Sequence, residues 1–485
     1  MNGLTSWMEK YILPVAAKIG AQRHLVALRD AFIGTMPATM AGSVAVMINA
    51  IIRYLPQQFI PTYADSLAAD QGIFSVLNVI IGINGFVWNG TLAIAGLIFA
   101  FSWGYNLARA YGVNDLAGGI VGLATLIQGI AFGPSLSAAL NVTVPQNIAD
   151  AINGTELGAT IADGNLSVGL WGWLKLDHLN GNAYFTIMIM GAISVVIFCK
   201  LMLANITIKM PDSVPPAVSK AFAAILPATI ALYVVAIINY IVSRVAEGQL
   251  IIDLVQKYIA EPFLGLSQGI GAVLIVTIFV QIFWFFGIHG PNVLAPVLEG
   301  IWGQAQLINI DIFQKGYNGK TGTPAVLDAI KDGKAYMWVR GSFDAFAWFG
   351  GSGGTIVLLI AILLLSKRAD YLTVAKLSIG PGIFNINEPV MFGLPIVLNA
   401  IMFIPFLVAP VVATAIGWVA TYLGLVAPVS QQVTWVVPPF LLSFLATGAD
   451  WRAPIVTLVC MIVTFLIWAP FVISANKMDP AKGEQ

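Results

Sequence analysis

Long stretches without a charged side chain constrain this chain more than any other feature. Apart from His289, such runs cover residues 31–52, 71–108, 116–149, 179–199, 221–243, 262–298, 345–366, 389–449 and 453–476. A helix needs about 20 apolar residues to cross the hydrocarbon core of a bilayer. Lipid offers no partner to a backbone N–H or C=O, so runs of this kind must become helices that bond to themselves. Taking 71–108 as one tilted helix and 389–449 as two spans plus a hairpin predicts about ten crossings. Charged residues make up 9% of the chain against 58% hydrophobic, where soluble domains carry about 25% charged residues. The fold class is therefore an all-α integral membrane protein in a lipid bilayer.

Net charge is zero, so no basic patch favours nucleic acid and no acidic run favours disorder. Cys199 and Cys460 lie at or inside apolar runs without CxxC spacing and read as core thiols. No metal site or cofactor is expected.

Topology follows from the basic residues. Trp7, Tyr11, Val15 and Ile19 fall on one helical stripe, with Lys10, Lys18 and Arg23 elsewhere around it, so residues 1–30 read as an interfacial helix. These charges and Arg29 place the N-terminus in the cytoplasm, and an even number of spans returns the tail at 477–485, with Lys477 and Lys482, to the same side. Residues 150–178, rich in Gly, Asn and Asp with the single basic residue Lys175, suit an extracytoplasmic loop. The loop through MPDSVPP carries prolines that forbid helix and lysines that favour the cytoplasm. It divides the chain at 206–220 into halves of 31–205 and 221–476.

Two apolar stretches are interrupted. Residues 380–406, GPGIFNINEPVMFGLPIVLNAIMFIPF, hold one acid, Glu388, with Asn385, Asn387 and Pro389 beside it. A carboxylate at membrane depth is expensive and marks function. Pro389, Pro395, Pro405 and Pro410 argue against one regular spanning helix here. The second stretch, WFFGIHGPNVLAP at 284–296, sets His289 between two glycines ahead of Pro291 and Asn292. A histidine there either binds and titrates a hydroxyl or is structural, bonded to a carbonyl. Broken backbone of this kind is tolerated where it lines a polar cavity, and pairs of broken helices form midplane sites in transporters. The candidate chemistry is Glu388 and His289, with Asn292, Asn385 and Asn387 as hydroxyl binders. Trp284 and Trp435 are candidates for stacking on a sugar ring, among 13 tryptophans that mostly serve core and interface. Arg340, Lys367, Arg368 and Lys376 flank the GGSGG segment at 350–354; they mark cytoplasmic topology or dock an anionic partner.

These motifs resemble the membrane component, enzyme IIC (EIIC), of bacterial phosphoenolpyruvate-dependent sugar phosphotransferase systems (PTS), in the lactose, cellobiose and diacetylchitobiose family. The similarity is carried by MPDSVPPAVSKAF (210–222), FFGIHGPNVL (285–294), GGSGGT (350–355), PGIFNINEPVMFGLPIVLN (381–399) and WVVPP through TGADWRAP (435–454). It implies ten transmembrane helices and two re-entrant hairpins, a homodimer built on the N-terminal half, and sugar held by the C-terminal half. His289 and Glu388 take the roles of the residues that bind the hydroxyl to be phosphorylated, and Asn385, Trp284 and Trp435 those of sugar contacts. The sequence departs from the family at Ala400, where proline is common, and through 150–182.

The chain has no phosphate-binding glycine loop with its lysine, so the phosphoryl donor is not a bound nucleotide. By resemblance the donor is a phosphocysteine on a separate EIIB protein. The expected function is a permease of the bacterial cytoplasmic membrane that moves a β-linked disaccharide and presents its C6 hydroxyl to phospho-EIIB. The alternatives are a proton-coupled secondary sugar transporter, with Glu388 and His289 as a proton relay, and a membrane receptor that binds sugar without moving it.

Overall fold

The structure is a computed structural model describing residues 10, 14, 18, 21–60, 62–133, 135–140, 143–153, 158–162, 164–169, 172–211, 213–394, 396 and 400–476. The interfacial helix expected at 1–30 lies mostly outside these residues, as does the tail at 477–485. Among the described residues six helices are long and apolar enough to span: Arg23–Arg53, Ile73–Tyr111, Gly181–Leu203, Pro216–Val245, Met402–Tyr422 and Arg452–Ala475. Ile251–Leu266 with Ile270–Phe285, broken at 267–269, make a seventh if taken as one span, and Asp115–Gln128 and Thr355–Leu365 are shorter apolar helices. The chain divides into two compact units, one of residues 94–259 and the other of 1–93 with 260–485.

In the unit of 94–259, Ala95–Tyr111 turns back into Asp115–Gln128. Gly112 ends the first helix at φ 73°, and Asn114 caps the second by accepting the Ala117 N–H at 3.1 Å. Gly104 faces Gly118 and Gly122 so closely that a Cβ on any of them would strike the opposing backbone. Small residues are what allow two helices in lipid to approach this far. Thr125 donates to Ser194 Oγ at 2.8 Å, a buried polar tie to Tyr184–Leu203.

The uncharged run 116–149 does not continue as a helix, because Gly129, Gly133 and Pro134 follow Gln128. A strand takes its place in part: Ser135–Ala139 pairs antiparallel with Asn165–Gly169, as does Ala159–Ala162 beyond the run. Part of the loop predicted at 150–178 thus belongs to a small sheet, and the fold is helical with this one sheet among the described residues.

The other unit packs Ile270–Phe285 against Ala400–Tyr422, with Phe285 and Phe403 at 4.2 Å and Thr277 Oγ1 3.5 Å from Thr414 Oγ1. Pro405 and Pro410 lie inside that second helix rather than breaking it, as neighbouring elements permit in membrane helices. The break that the prolines signalled falls earlier: Glu388–Gly393 is a short helix of its own. Trp338 meets Phe343 edge to face at 5.5 Å, Phe343 stacks on Trp348 at 5.4 Å, and all three rings are buried.

Candidate functional site

Both interrupted stretches end up on irregular backbone in the same unit. Ile270–Phe285 stops, Gly287 takes φ 71°, and His289 caps the four-residue helix Gly290–Val293. Its Nδ1 accepts the Asn292 N–H at 3.2 Å. With Nδ1 occupied as an acceptor, the neutral ring carries its proton on Nε2. That atom is 3.7 Å from Glu388 Oε1, with the two side chains 35% and 48% exposed. A separation of 3.7 Å is too long for a good direct hydrogen bond. A hydroxyl oxygen set to one side of the pair would reach both at about 2.8 Å, accepting from Nε2–H and donating to the carboxylate.

Glu388 is set by the residues before it. Asn385 has φ 61°, a left-handed conformation that asparagine tolerates better than most side chains. Its amide makes three bonds to backbone: Nδ2 donates to the carbonyls of Trp435 at 2.6 Å and Val437 at 2.9 Å, and Oδ1 accepts the Gly350 N–H at 2.7 Å. Asn387 is buried and donates to the Ser352 carbonyl at 3.1 Å. Both asparagines therefore hold neighbouring chain segments with the groups expected to meet a ligand.

The aromatic candidates differ in exposure. The Trp284 indole is 1% exposed, with the His289 ring at 4.6 Å, Phe392 at 6.4 Å and its Nε1–H donating to Ser352 Oγ at 2.8 Å. Trp435 is 39% exposed and offers an open aromatic surface. Asn292 is exposed and contributes its backbone N–H to His289.

The element that joins these pieces is one that reading for titratable groups passes over. Residues 350–354 receive a bond from Trp284 and one from Asn387 and give one to Asn385, and Thr355 donates back to the Gly350 carbonyl. Gly350, Gly351, Gly353 and Gly354 have φ of 80°, 101°, 126° and 64°. Only glycine adopts such a succession without strain. The signal was present as four glycines around a serine at the foot of the apolar helix Thr355–Leu365. Arg340, earlier a candidate for docking an anion, is committed inside the protein. Its Nε donates to Glu299 Oε1 at 2.9 Å and its Nη1 to Asp344 Oδ2 at 2.8 Å, which anchors the helix Arg340–Phe346 just ahead of the glycine loop. No group of three or more metal-ligating side chains occurs among the described residues.

Residues 29–410 match the model of the family described as "Phosphotransferase system, EIIC". The chain is 54% identical to the PTS system cellobiose-specific EIIC component of Lactococcus lactis subsp. lactis (strain IL1403), over 99% of each chain. It is 30% identical to the PTS system oligo-beta-mannoside-specific EIIC component of Bacillus subtilis (strain 168), over 99% of this chain and 95% of the relative. Among solved structures, the transporter ChbC, the IIC component from the N,N'-diacetylchitobiose-specific phosphotransferase system, superposes with a TM-score of 0.82 at 32% identity. That match covers 99% of this chain and 100% of the other.

Proposed function

The chain belongs to the phosphotransferase system EIIC family, and on that premise we propose that it moves a β-linked disaccharide of the cellobiose or diacetylchitobiose type across the cytoplasmic membrane and presents its C6 hydroxyl to phospho-EIIB. The observation that carries this reading is the pairing of His289 Nε2 and Glu388 Oε1 at 3.7 Å across two breaks in the chain. One donor and one acceptor facing a common point suit a hydroxyl, which is both.

In this reading the hydroxyl oxygen attacks the phosphorus of a phosphocysteine on EIIB. The S–P bond breaks to leave a thiolate on EIIB, the new O–P bond forms on the sugar, and Glu388 takes the hydroxyl proton. The protein supplies position and a base, which is most of what phosphoryl transfer asks of it. Trp435, with its open ring, stacks on the sugar, and Trp284 backs His289. Asn385 and Asn387 act on the ligand through the segments they hold, and Asn292 through the cap that fixes the imidazole tautomer.

The full assembly in this proposal is a homodimer of ten-span chains with two re-entrant hairpins and cytoplasmic termini. The half at 31–205 forms the interface and that at 221–476 holds sugar. Vesicles containing the protein, supplied with sugar, phosphoenolpyruvate and the soluble donor proteins, should accumulate sugar phosphate. Glu388→Gln, which keeps the shape and removes the base, should reduce that accumulation at least tenfold while the protein still elutes as a folded species. Accumulation of free sugar driven by a proton gradient would instead identify a secondary transporter.

A further inference from the structure

We propose that Ser352 is a positioning residue that registers His289 against Glu388, acting through Trp284 on one side and Asn387 on the other. The proposal rests on the reading that this pair holds the reacting hydroxyl. Ser352 is 6% exposed and uses two different groups toward two different chain segments. Its hydroxyl accepts the Trp284 Nε1–H at 2.8 Å, and its carbonyl accepts from Asn387 Nδ2 at 3.1 Å. Trp284 is the surface on which the His289 ring rests, at 4.6 Å and 50°. Asn387 directly precedes Glu388 and stands at the cap position of Glu388–Gly393. One residue therefore supports the platform under the donor and the residue next to the acceptor.

The physics favours a serine on this loop. An indole N–H is a donor only, and when buried it needs an acceptor. The positive-φ glycines on both sides let the loop turn tightly enough to aim a hydroxyl and a carbonyl from the same residue at different segments. A Cβ on Gly351 would lie 2.7 Å from Asn387 Cγ, so the loop packs directly on the segment it positions. Nothing in this arrangement would touch a hydroxyl held by His289 and Glu388. Its effect is on their separation, and reacting groups lose efficiency steeply when displaced by as little as about 1 Å.

The test compares wild type, Ser352→Ala, Trp284→Phe, the double variant and Glu388→Gln in the vesicle phosphorylation assay, with sugar dissociation constants measured on the purified proteins. Ser352→Ala strands the indole N–H, and Trp284→Phe removes it while keeping an aromatic ring. Each should lower kcat by about tenfold with the sugar dissociation constant changed less than about threefold, and the double variant should lose little more than either single one. A merely structural role would reduce binding and turnover together, additively, and that pattern would overturn the proposal. Wild-type turnover by Ser352→Ala would overturn it as well, provided Glu388→Gln is inactive. If Glu388→Gln turns over normally, the reading of the sugar site itself fails. Should Ser352→Ala not fold, Trp284→Phe decides alone: a fall in kcat at unchanged affinity supports the proposal, and unchanged kcat refutes it.

Discussion

Replacing Asn385 tests whether the acidic segment is held by its asparagine amide or merely passes beside it. The side chain is 6% exposed and makes three bonds to backbone, at 2.6, 2.9 and 2.7 Å. Asn385→Asp keeps size and shape but turns an acceptor toward the carbonyls of Trp435 and Val437, which then have no donor. Leaving buried polar groups unmatched costs about 1–3 kcal/mol each. Relaxation and the second lone pair of each carbonyl place the expected total near the lower end, at about 2 kcal/mol. Because Trp435 is carried by one of those carbonyls, part of the cost should appear in ligand affinity, and about 2 kcal/mol spent there weakens sugar binding by about 30-fold. Asn385→Gly and Asn385→Ala separate the remaining contribution. Both lose all three bonds, but φ 61° is free for glycine and costs alanine about 1 kcal/mol more. The assays are sugar titration calorimetry and thermal melting in one detergent. Melting temperature should fall in the order wild type, Asn385→Gly, Asn385→Ala, with Asn385→Asp weakest in binding. If Asn385→Asp binds sugar with wild-type affinity and melts normally, the amide is not an anchor and the account of the site is wrong.

Two further outcomes follow from the same geometry. His289→Ala and Glu388→Ala should each weaken sugar binding by about 1–3 kcal/mol, and the double variant should lose clearly less than the sum, because in the proposed site both groups act on one hydroxyl; strict additivity in the cycle would mean that they touch different parts of the ligand. His178 supplies a pH dependence: its Nδ1 accepts the Ala131 N–H at 3.3 Å and its Nε2–H faces Asp253 Oδ1 at 3.0 Å, so the neutral ring is the form that fits. Burial, and next the charge of Lys175, hold its pKa below the usual 6.5 against the pull of Asp253. Below about pH 6.5 the unfolded chain therefore binds a proton that the folded one resists, and stability falls with pH until the folded pKa is passed. Melting temperatures between pH 7.5 and 5.5 should fall more in wild type than in His178→Gln, and equal slopes would count against the assignment.

How far the sequence could be read depended on whether a residue's role is local. The apolar runs located the six helices long enough to span among the described residues, short of the ten expected, because burial in lipid is a property of composition over about 20 residues. Glu388 and His289 stood out because a titratable group in an apolar run has few innocent explanations, and the structure brings them within 3.7 Å. The run 116–149 misled, since absence of charge was weighed above Gly129, Gly133 and Pro134, which end the helix at Gln128. Pro405 and Pro410 misled in the opposite direction, because a helix packed among neighbours can absorb a lost N–H. Asn385 and Asn387 were singled out as hydroxyl binders, but an amide suits a sugar hydroxyl and a backbone carbonyl equally well. Only the fold reveals that their amides bond to the segments at 350–352 and 435–437.

The glycine loop shows why the frame of such a site is harder to read than its chemistry. His289 and Glu388 sit on two separate breaks, each of which frees backbone groups that a regular helix would have satisfied internally. The side chains beside those breaks find partners in a segment with no titratable residue at all. Four glycines and a serine suit this because a loop almost without side chains can bring a backbone N–H and a C=O against the segment before Glu388 and a single hydroxyl against Trp284, beside the other break. The supports of a carboxylate and an imidazole 3.7 Å apart are thus joined by a third, chemically silent element. Enlarging any glycine of that loop should loosen the pair without altering either group, so activity at this site should be more sensitive to 350–354 than the composition of those residues suggests.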